Sequence, residues 1–419
     1  MKFQKPKGTK DILPKDIQKW HYVENVIAEV TRLYNFSEIR TPTFEFTELF
    51  TRGVGSETDV VGKEMYTFSD KNEDSLTLRP EGTAPVMRAF IENSLSAESP
   101  IHKLFYYLNM FRHEKPQAGR YREHTQFGAE IIGSSSIYTD VELIELAKEL
   151  FNRCGINNFK VKINSIGRPG ERNDYIKKLQ DYLSTRLNDL SDDSKRRFKT
   201  NPLRILDSKN ENDSKITDSA PKIIDNLTEE SRTRFDKVLH ELNELKIDYE
   251  VDFRLVRGFD YYTDTTFEFI SQALGAQDAL GGGGRYDGLV ELLGGKPTPG
   301  AGFACGIERI ILVAEKNGFG FGLTSAPKIY FITLDEPSKK LASKLMYELR
   351  KTNISCDTDY IGKSLKAQMR DANKTNAEFV YIIGAEEITK GMGILKNMKD
   401  SSQTEIKFDA LINHFTKQG

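Results

Sequence analysis

Four short segments of this chain combine residue types that ordinary packing does not ask for. The first reads Tyr107-Leu108-Asn109-Met110-Phe111-Arg112-His113-Glu114, a polar loop, then Gln126-Phe127-Gly128-Ala129-Glu130. Side chains alternate along a strand, so Gln126, Gly128 and Glu130 share one face while Phe127, Ala129 and Ile131 take the other. An amide, a gap and a carboxylate on one face suit the wall of a polar pocket, with Gly128 leaving room for a ligand. The alternative is a solvated antiparallel face. The second segment, Thr77-Leu78-Arg79-Pro80-Glu81-Gly82-Thr83-Ala84, breaks a strand and places Glu81 and Thr83 at a turn. A carboxylate and a hydroxyl there suit a substrate ammonium; an ordinary turn with Glu81 paired to Arg79 is the other reading.

The third is Leu255-Val256-Arg257-Gly258-Phe259-Asp260-Tyr261-Tyr262-Thr263. An arginine and then a glycine on an apolar strand, with two tyrosines beside them, suit a phosphate and a planar ligand. Arg257 as a buried partner of Asp260 is the competing reading. The last, Gly300 to Arg309, is a small-residue strand turning into a helix. It puts Arg309 in the first helical turn, where a cation works against the helix dipole. Anion binding explains that placement; a salt bridge to Glu308 is the alternative.

Several chemistries are excluded. No G-x-x-x-x-G-K-[ST] loop exists, and Gly62-Lys63-Glu64 and Gly295-Lys296-Pro297 lack its hydroxyl. No G-x-G-x-x-G sits between a strand and a helix. The three cysteines form neither a disulfide framework nor a zinc pattern, and the six histidines show no ligand-like clustering, so no tightly bound protein metal is expected. A formal net charge of −2 gives no global pull toward nucleic acid, so RNA binding must come from local basic patches. The basic N-terminus has no apolar core and no stretch nears the ~20 apolar residues of a membrane span. A reduced, cytoplasmic protein with no membrane partner is expected.

The elements that hold these segments follow from length and periodicity. A chain of 419 residues exceeds one core and should form more than one domain. Asp16 to Tyr34 has a helical apolar rhythm. Residues 36–50 read as a strand broken by Pro42, then a helical start. Lys103–Arg112 and Thr125–Ile132 form a hairpin with a long functional loop. Thr139–Cys154 is an amphipathic helix and Phe159–Asn164 a strand. From 167 to 245 the chain turns highly charged and helical, with a polar loop at 207–219; this looks like an insertion, because strand patterns resume at Asp248 and run to Phe269. Gly281–Gly284 and Gly294–Gly295 read as turns. After a linker at Gly318–Gly322, strands and helices alternate through Ile383 as a small α/β domain of roughly 90–100 residues.

Taken together, these segments resemble the class II aminoacyl-tRNA synthetases, and among them the histidyl-tRNA synthetase family. The Pro42 segment is similar to the dimer-forming motif 1, residues 110–130 to motif 2, and Gly302–Arg309 to motif 3. Leu255–Tyr262 and Gly282-Gly283-Gly284-Arg285-Tyr286-Asp287-Gly288-Leu289 resemble the two histidine-specific signatures. The likeness runs from Lys7-Gly8-Thr9-Lys10-Asp11-Ile12-Leu13-Pro14 into the last domain. It implies an α+β fold: an antiparallel six-stranded catalytic core over 1–325, interrupted by a helical insertion at 167–245, then an α/β anticodon-binding domain at 326–419.

The resemblance also implies roles. Histidine would be activated by ATP, with Mg²⁺ as the counter-ion of its phosphates, and loaded onto tRNA(His) by a homodimer. Arg112 and Arg257 would flank the α-phosphate, Arg309 would hold the γ-phosphate end, and Glu114 would join them in binding ATP. Glu81, Thr83 and Gln126 would hold the α-ammonium. Glu130 and Tyr262 would bond the imidazole, with Tyr261 and Tyr286 shaping its pocket. Gln117, Arg120 and Arg122 of the motif 2 loop would meet the tRNA acceptor end. Lys363, Lys366, Arg370 and Lys374 recur at helical spacing, though a solvated helix face explains them as well, and Lys195-Arg196-Arg197 reads as surface. Two other classes of function compete. A regulatory subunit that binds histidine without touching tRNA, and an inert RNA-binding module, would each lack parts of what is present here: the last domain, the two signatures, or Arg112, Arg257 and Arg309.

Overall fold

The computed structural model describes residues 3–56, 58–116, 119–275, 279–322 and 326–416. The chain divides into two compact units, 1–321 and 322–419.

In the first unit the helices are α1 (Ile17–Leu33), α2 (Thr47–Val54), α3 (Thr83–Glu92), α4 (Ile137–Arg153), α5 (Pro169–Ser184), α6 (Asp192–Thr200), α7 (Glu211–Thr217), α8 (Glu229–Glu244), α9 (Leu289–Leu292) and α10 (Ile307–Lys316). The strands are β1 (Ser37–Glu38), β2 (Phe44–Phe46), β3 (Tyr66–Ser69), β4 (Ser75–Leu78), β5 (His102–Phe111), β6 (Glu123–Ile132), β7 (Lys160–Ser165), β8 (Tyr249–Val251), β9 (Thr263–Ile270), β10 (Ala279–Arg285) and β11 (Gly300–Gly306). The main sheet runs β1-β5-β6-β11-β10-β9-β7-β8. Its inner six strands pair antiparallel throughout, and β1 and β8 add to the two edges in parallel. The antiparallel six-stranded core is therefore present, widened by one short strand at each side.

Alternation sorts the two faces as the hairpin pattern requires. Phe127, Ala129 and Ile131 of β6, with Phe303 of β11 and Phe267 and Phe269 of β9, pack against α1, α4, α8 and α10. Burying each such aromatic side chain stabilises the fold by roughly 1.5–3 kcal/mol. The opposite face carries Tyr106 of β5 and packs on α3, α5 and the tyrosines of 261–286. That second face holds the polar residues.

Local structure departs from the periodicity reading in three places. Residues 252–262 form a loop rather than an apolar strand, because β9 starts only at Thr263. Gly281–Gly284 lie inside β10 and are no turn: a Cβ on Gly281 would sit 2.6 Å from the Ala304 carbonyl oxygen, and one on Gly283 2.1 Å from that of Gly302. Glycine serves there for close approach between strands. The stretch 207–219 contains α7, started by the Asn210 side chain accepting from the N–H groups of Asn212 and Asp213.

The second unit has its own five-stranded sheet, β13-β12-β14-β15-β16, from β12 (Ile329–Thr333), β13 (Cys356–Thr358), β14 (Phe379–Ile383), β15 (Met392–Asn397) and β16 (Gln403–Lys407), with helices α11 (Glu336–Lys351), α12 (Leu365–Lys374), α13 (Ala385–Lys390) and α14 (Leu411–Thr416). β12 lies parallel to β13 and β14, and the last two strands are antiparallel. In this unit Lys363 pairs with Asp371, so part of the basic helix face is already neutralised.

Candidate active site

The polar face of the main sheet lines a cleft of about 1290 Å³ in the first unit. Arg112, Arg257 and Arg309 all face it, as do Glu81, Thr83, Glu114, Arg120, Gln126, Tyr261 and Tyr262. Glu130 and Tyr286 lie buried directly behind them, 1% exposed each.

Each arginine is fixed by the element that carries it. Arg112, just past the end of β5, donates from Nε to the Pro80 carbonyl at 2.7 Å and sits 5.6 Å over the Phe259 ring. Arg257 comes from the 252–262 loop. Its ion-pair partner is Glu268 of β9 at 3.0 Å rather than Asp260, the competing reading of the sequence, and it lies 5.5 Å over the Tyr262 ring. Arg309, in the first turn of α10, donates to the Ala279 carbonyl at the start of β10. Glu308 beside it is turned away to accept the Thr125 N–H at 2.9 Å. Three guanidinium groups thus point into one cleft from three separate elements.

At the other end, polar side chains form a buried chain. Glu130 accepts from the Thr83 hydroxyl at 2.8 Å and from the Tyr286 hydroxyl. Burial pushes its carboxyl up to about 8, against the two hydroxyl donors, which favour the charged form. Glu81 accepts the Thr83 and Ala84 N–H groups at 2.7 and 2.8 Å, capping the start of α3. Burial raises its pKa as well. Arg79 plays no part in this; it donates to the carbonyls of Thr41, Pro42 and Asn109. Tyr261 packs between Tyr262, tilted at 4.7 Å, and Tyr286, edge-to-face at 5.8 Å.

Gly128 has a different use from the one expected of it. The space beside it is filled by Tyr106, its register partner on β5: a Cβ on Gly128 would lie 2.2 Å from the ring and one on Gly82 2.4 Å. The Tyr106 hydroxyl is buried, faces the cleft and has no hydrogen-bond partner among the described residues; the same holds for Gln126 Oε1 and Arg257 Nε. Buried polar atoms in this state are costly unless a ligand satisfies them.

Other cleft residues went unrecognised in the sequence. His124 lines the arginine end, where burial and then the nearby Arg112 hold its pKa down to about 3, so it stays neutral there. Arg197 and Arg204, in the helical stretch between β7 and β8, also face the cleft, Arg197 pairing with Asp59 at 3.2 Å and Arg204 with Asp207 at 2.7 Å. Of Lys195-Arg196-Arg197, the two arginines therefore line the cleft, while Lys195 stays on the outer surface. The pairing of Tyr106 with Gly128 was the one available signal for Tyr106; nothing local marked these arginines. Of the loop residues, Arg120 pairs with Glu114 at 2.8 Å. Arg122 anchors the loop, its N–H donating to the Gly8 carbonyl at 2.7 Å. Gln117 lies outside the described residues.

An antiparallel six-stranded sheet with three arginines from separate elements on one cleft and a buried Thr83–Glu130–Tyr286 chain beside it is the architecture of a class II aminoacyl-tRNA synthetase catalytic domain. Residues 8–310 match the family described as histidyl-tRNA synthetase, and residues 328–418 the anticodon binding domain. The histidine–tRNA ligase of Acetivibrio thermocellus is 48% identical over 410 residues, covering 98% of each chain. That of Halothermothrix orenii is 46% identical over 417 residues, covering all of both. The apo histidyl-tRNA synthetase of S. aureus has a similar structure, with a TM-score of 0.84 and 36% identity over 99% of this chain and 100% of that one. The chain belongs to the histidyl-tRNA synthetase family, whose reaction is the ATP-dependent aminoacylation of tRNA(His) with histidine.

Proposed function

We propose that this cleft binds histidine and the Mg²⁺ complex of ATP side by side, joins them as histidyl-adenylate, and passes the histidyl group to the 3′ end of tRNA(His). A carboxylate oxygen of histidine attacks the α-phosphorus as the bond to the β-phosphate breaks and pyrophosphate leaves. The nucleophile is already ionised at neutral pH, so the step needs no general base. What it needs is alignment and neutralisation of charge on phosphorus. Arg112 and Arg257 flank the α-phosphate and Arg309 takes the γ-phosphate, with Glu114 completing the ATP site. Guanidinium groups suit this because they stay charged and present a rigid fork of donors. The Mg²⁺ of this reading comes with the ATP, as the counter-ion of its β- and γ-phosphates.

Histidine is selected at the opposite end. Its ammonium is held by Glu81, Thr83 and Gln126, and its ring by Glu130 and Tyr262 between the walls of Tyr261 and Tyr286. A site that pairs both ring nitrogens leaves buried polar groups stranded with any apolar amino acid, which gives discrimination of ~10⁴ or more without editing. In the second step a hydroxyl of the terminal adenosine attacks the adenylate carbonyl and AMP leaves. Arg120 and Arg122, with Gln117, meet that end of the tRNA, while residues 326–419 read the anticodon and the 167–245 insertion belongs to the catalytic part, 1–325.

The exposed rings of Phe44, Phe46 and Phe68 on the small sheet β2-β4-β3 support a homodimer, since a chain rarely leaves three aromatics together in water. The cytoplasm is the proposed compartment: the three cysteines are free and no described helix is long and apolar enough to cross a membrane.

The observation that carries this reading is the convergence of three arginines on one cleft whose wall residue Thr83 is bonded to the buried Glu130–Tyr286 pair behind it. ATP–pyrophosphate exchange with each of the twenty amino acids, without tRNA, tests it. Exchange with histidine alone is expected. Exchange with another amino acid would overturn the pocket assignment, and none at all the adenylation chemistry.

A further inference from the structure

Behind Tyr286 lies an arginine for which the reaction has no direct use. Arg285, the last residue of β10, is the largest fully buried side chain of the chain's described residues, at 0% exposure. It is held on every side. Nη1 donates to Asp140 of α4 at 2.9 Å and to the Thr139 hydroxyl at 3.0 Å; Nη2 donates to the Ser134 carbonyl at 2.7 Å and to Asp287 at 2.9 Å. Asp287 in turn accepts the Gly300 N–H at 3.1 Å, and the Tyr286 N–H donates to the Gly300 carbonyl at 2.8 Å. The backbone of Tyr286 is thus clamped between two residues that bond each other. The Tyr286 ring packs on Gly300, where a Cβ would lie 2.4 Å from it. With backbone and ring both fixed, its hydroxyl has one destination, Glu130.

A buried ion pair of this kind is a poor device for stability alone, since desolvating the charges offsets most of their attraction, but it specifies geometry well. We propose that Arg285, clamped by Asp140 and Asp287, is a positioning residue that holds Tyr286 against Glu130 and so sets the affinity for the histidine side chain. The inference rests on the assignment of Glu130 to the imidazole.

Steady-state pyrophosphate exchange of Arg285→Lys, Tyr286→Phe and the double variant tests it, with thermal melting alongside. Lysine keeps the charge and loses the fork. Both single variants should raise KM for histidine about tenfold, with KM for ATP changed by less than about twofold, and the double variant should be no worse than the worse single one. Asp287→Asn, at a more exposed carboxylate, should shift KM for histidine in the same direction and covers the case in which Arg285→Lys folds poorly. An unchanged KM in Tyr286→Phe would overturn the imidazole assignment and this inference with it. A raised KM in Tyr286→Phe beside normal values in Arg285→Lys and Asp287→Asn would overturn this inference alone. So would additive effects, or equal rises for histidine and ATP, which a merely structural arginine would give.

Discussion

Arg257 lies flat against Gly282: a Cβ on that glycine would stand 2.7 Å from the Arg257 Nη1 and 2.7 Å from the Phe267 carbonyl oxygen. The two residues belong to segments 25 positions apart in sequence, and each makes sense through the other. The glycine is absent of side chain because the guanidinium occupies that space, and the guanidinium is level with the cleft because the strand beneath it is bare.

Gly282→Ala should therefore act as a catalytic lesion. The methyl group cannot be absorbed by a flexible chain end alone, because a backbone oxygen also blocks it. Adenylation is expected to fall by roughly 10²-fold, as a displacement near 1 Å of a positioning group can produce. Pyrophosphate exchange and the far-ultraviolet circular dichroism spectrum together check this; full activity in a folded protein would contradict it.

Arg257→Ala should cost adenylation about 10²–10³-fold while fold and melting temperature stay nearly unchanged. Glu268, left behind, is 26% exposed and can be solvated. Arg257→Lys should recover little, since one ammonium cannot present two parallel donors. Single-turnover adenylate formation distinguishes these outcomes, and near-normal rates in the alanine variant would remove Arg257 from the mechanism.

Glu130→Gln should raise KM for histidine far more than KM for ATP. It also carries a pH signature. Burial lifts the Glu130 carboxyl to about 8, so between about pH 4.5 and 8 the unfolded chain releases a proton that the folded one keeps. This group therefore lowers stability as pH rises through that window, by on the order of 4 kcal/mol at most. Denaturant unfolding of the ligand-free protein should show glutamine gaining on glutamate from pH 5 to pH 8; a pH-independent difference would sink the account.

Tyr106→Phe removes a buried hydroxyl that nothing among the described residues satisfies. Stability should hold or rise by about 1 kcal/mol, while affinity for histidine falls. Calorimetric titration with histidine checks the second half. Unaltered binding would show that the hydroxyl does not serve the ligand.

Phe46→Asp on the small sheet should turn the proposed dimer into a monomer without unfolding the first unit, to which that sheet belongs. Phe46 is 61% exposed, with Phe44 and Phe68 beside it. Sedimentation velocity reads the result, and an intact dimer would place the subunit contact elsewhere.

Much of the site was legible in the order of residues alone. Strand alternation is a local rule, so Phe127-Gly128-Ala129-Glu130 announced which side chains face the core and which face a pocket, and the tertiary fold had no freedom to reverse it. Helix periods and the change of composition after residue 166 marked the helical stretch α5 to α8 between β7 and β8 for the same reason. What no local rule contains is which distant groups meet. Whether four consecutive glycines make a turn or a strand depends on the carbonyls of Ala304 and Gly302 across the sheet. Whether Arg257 pairs with Asp260 or Glu268 depends on the path of a loop that lacks a period. Tyr106 in the gap beside Gly128, Arg197 on the cleft wall and Arg285 beneath Tyr286 are likewise products of packing between elements. The sequence determined the parts and their facing, because those follow from backbone geometry within a few residues. Only the tertiary structure decided the partners, because buried charge and close approach are settled by whichever atoms the whole fold brings within reach.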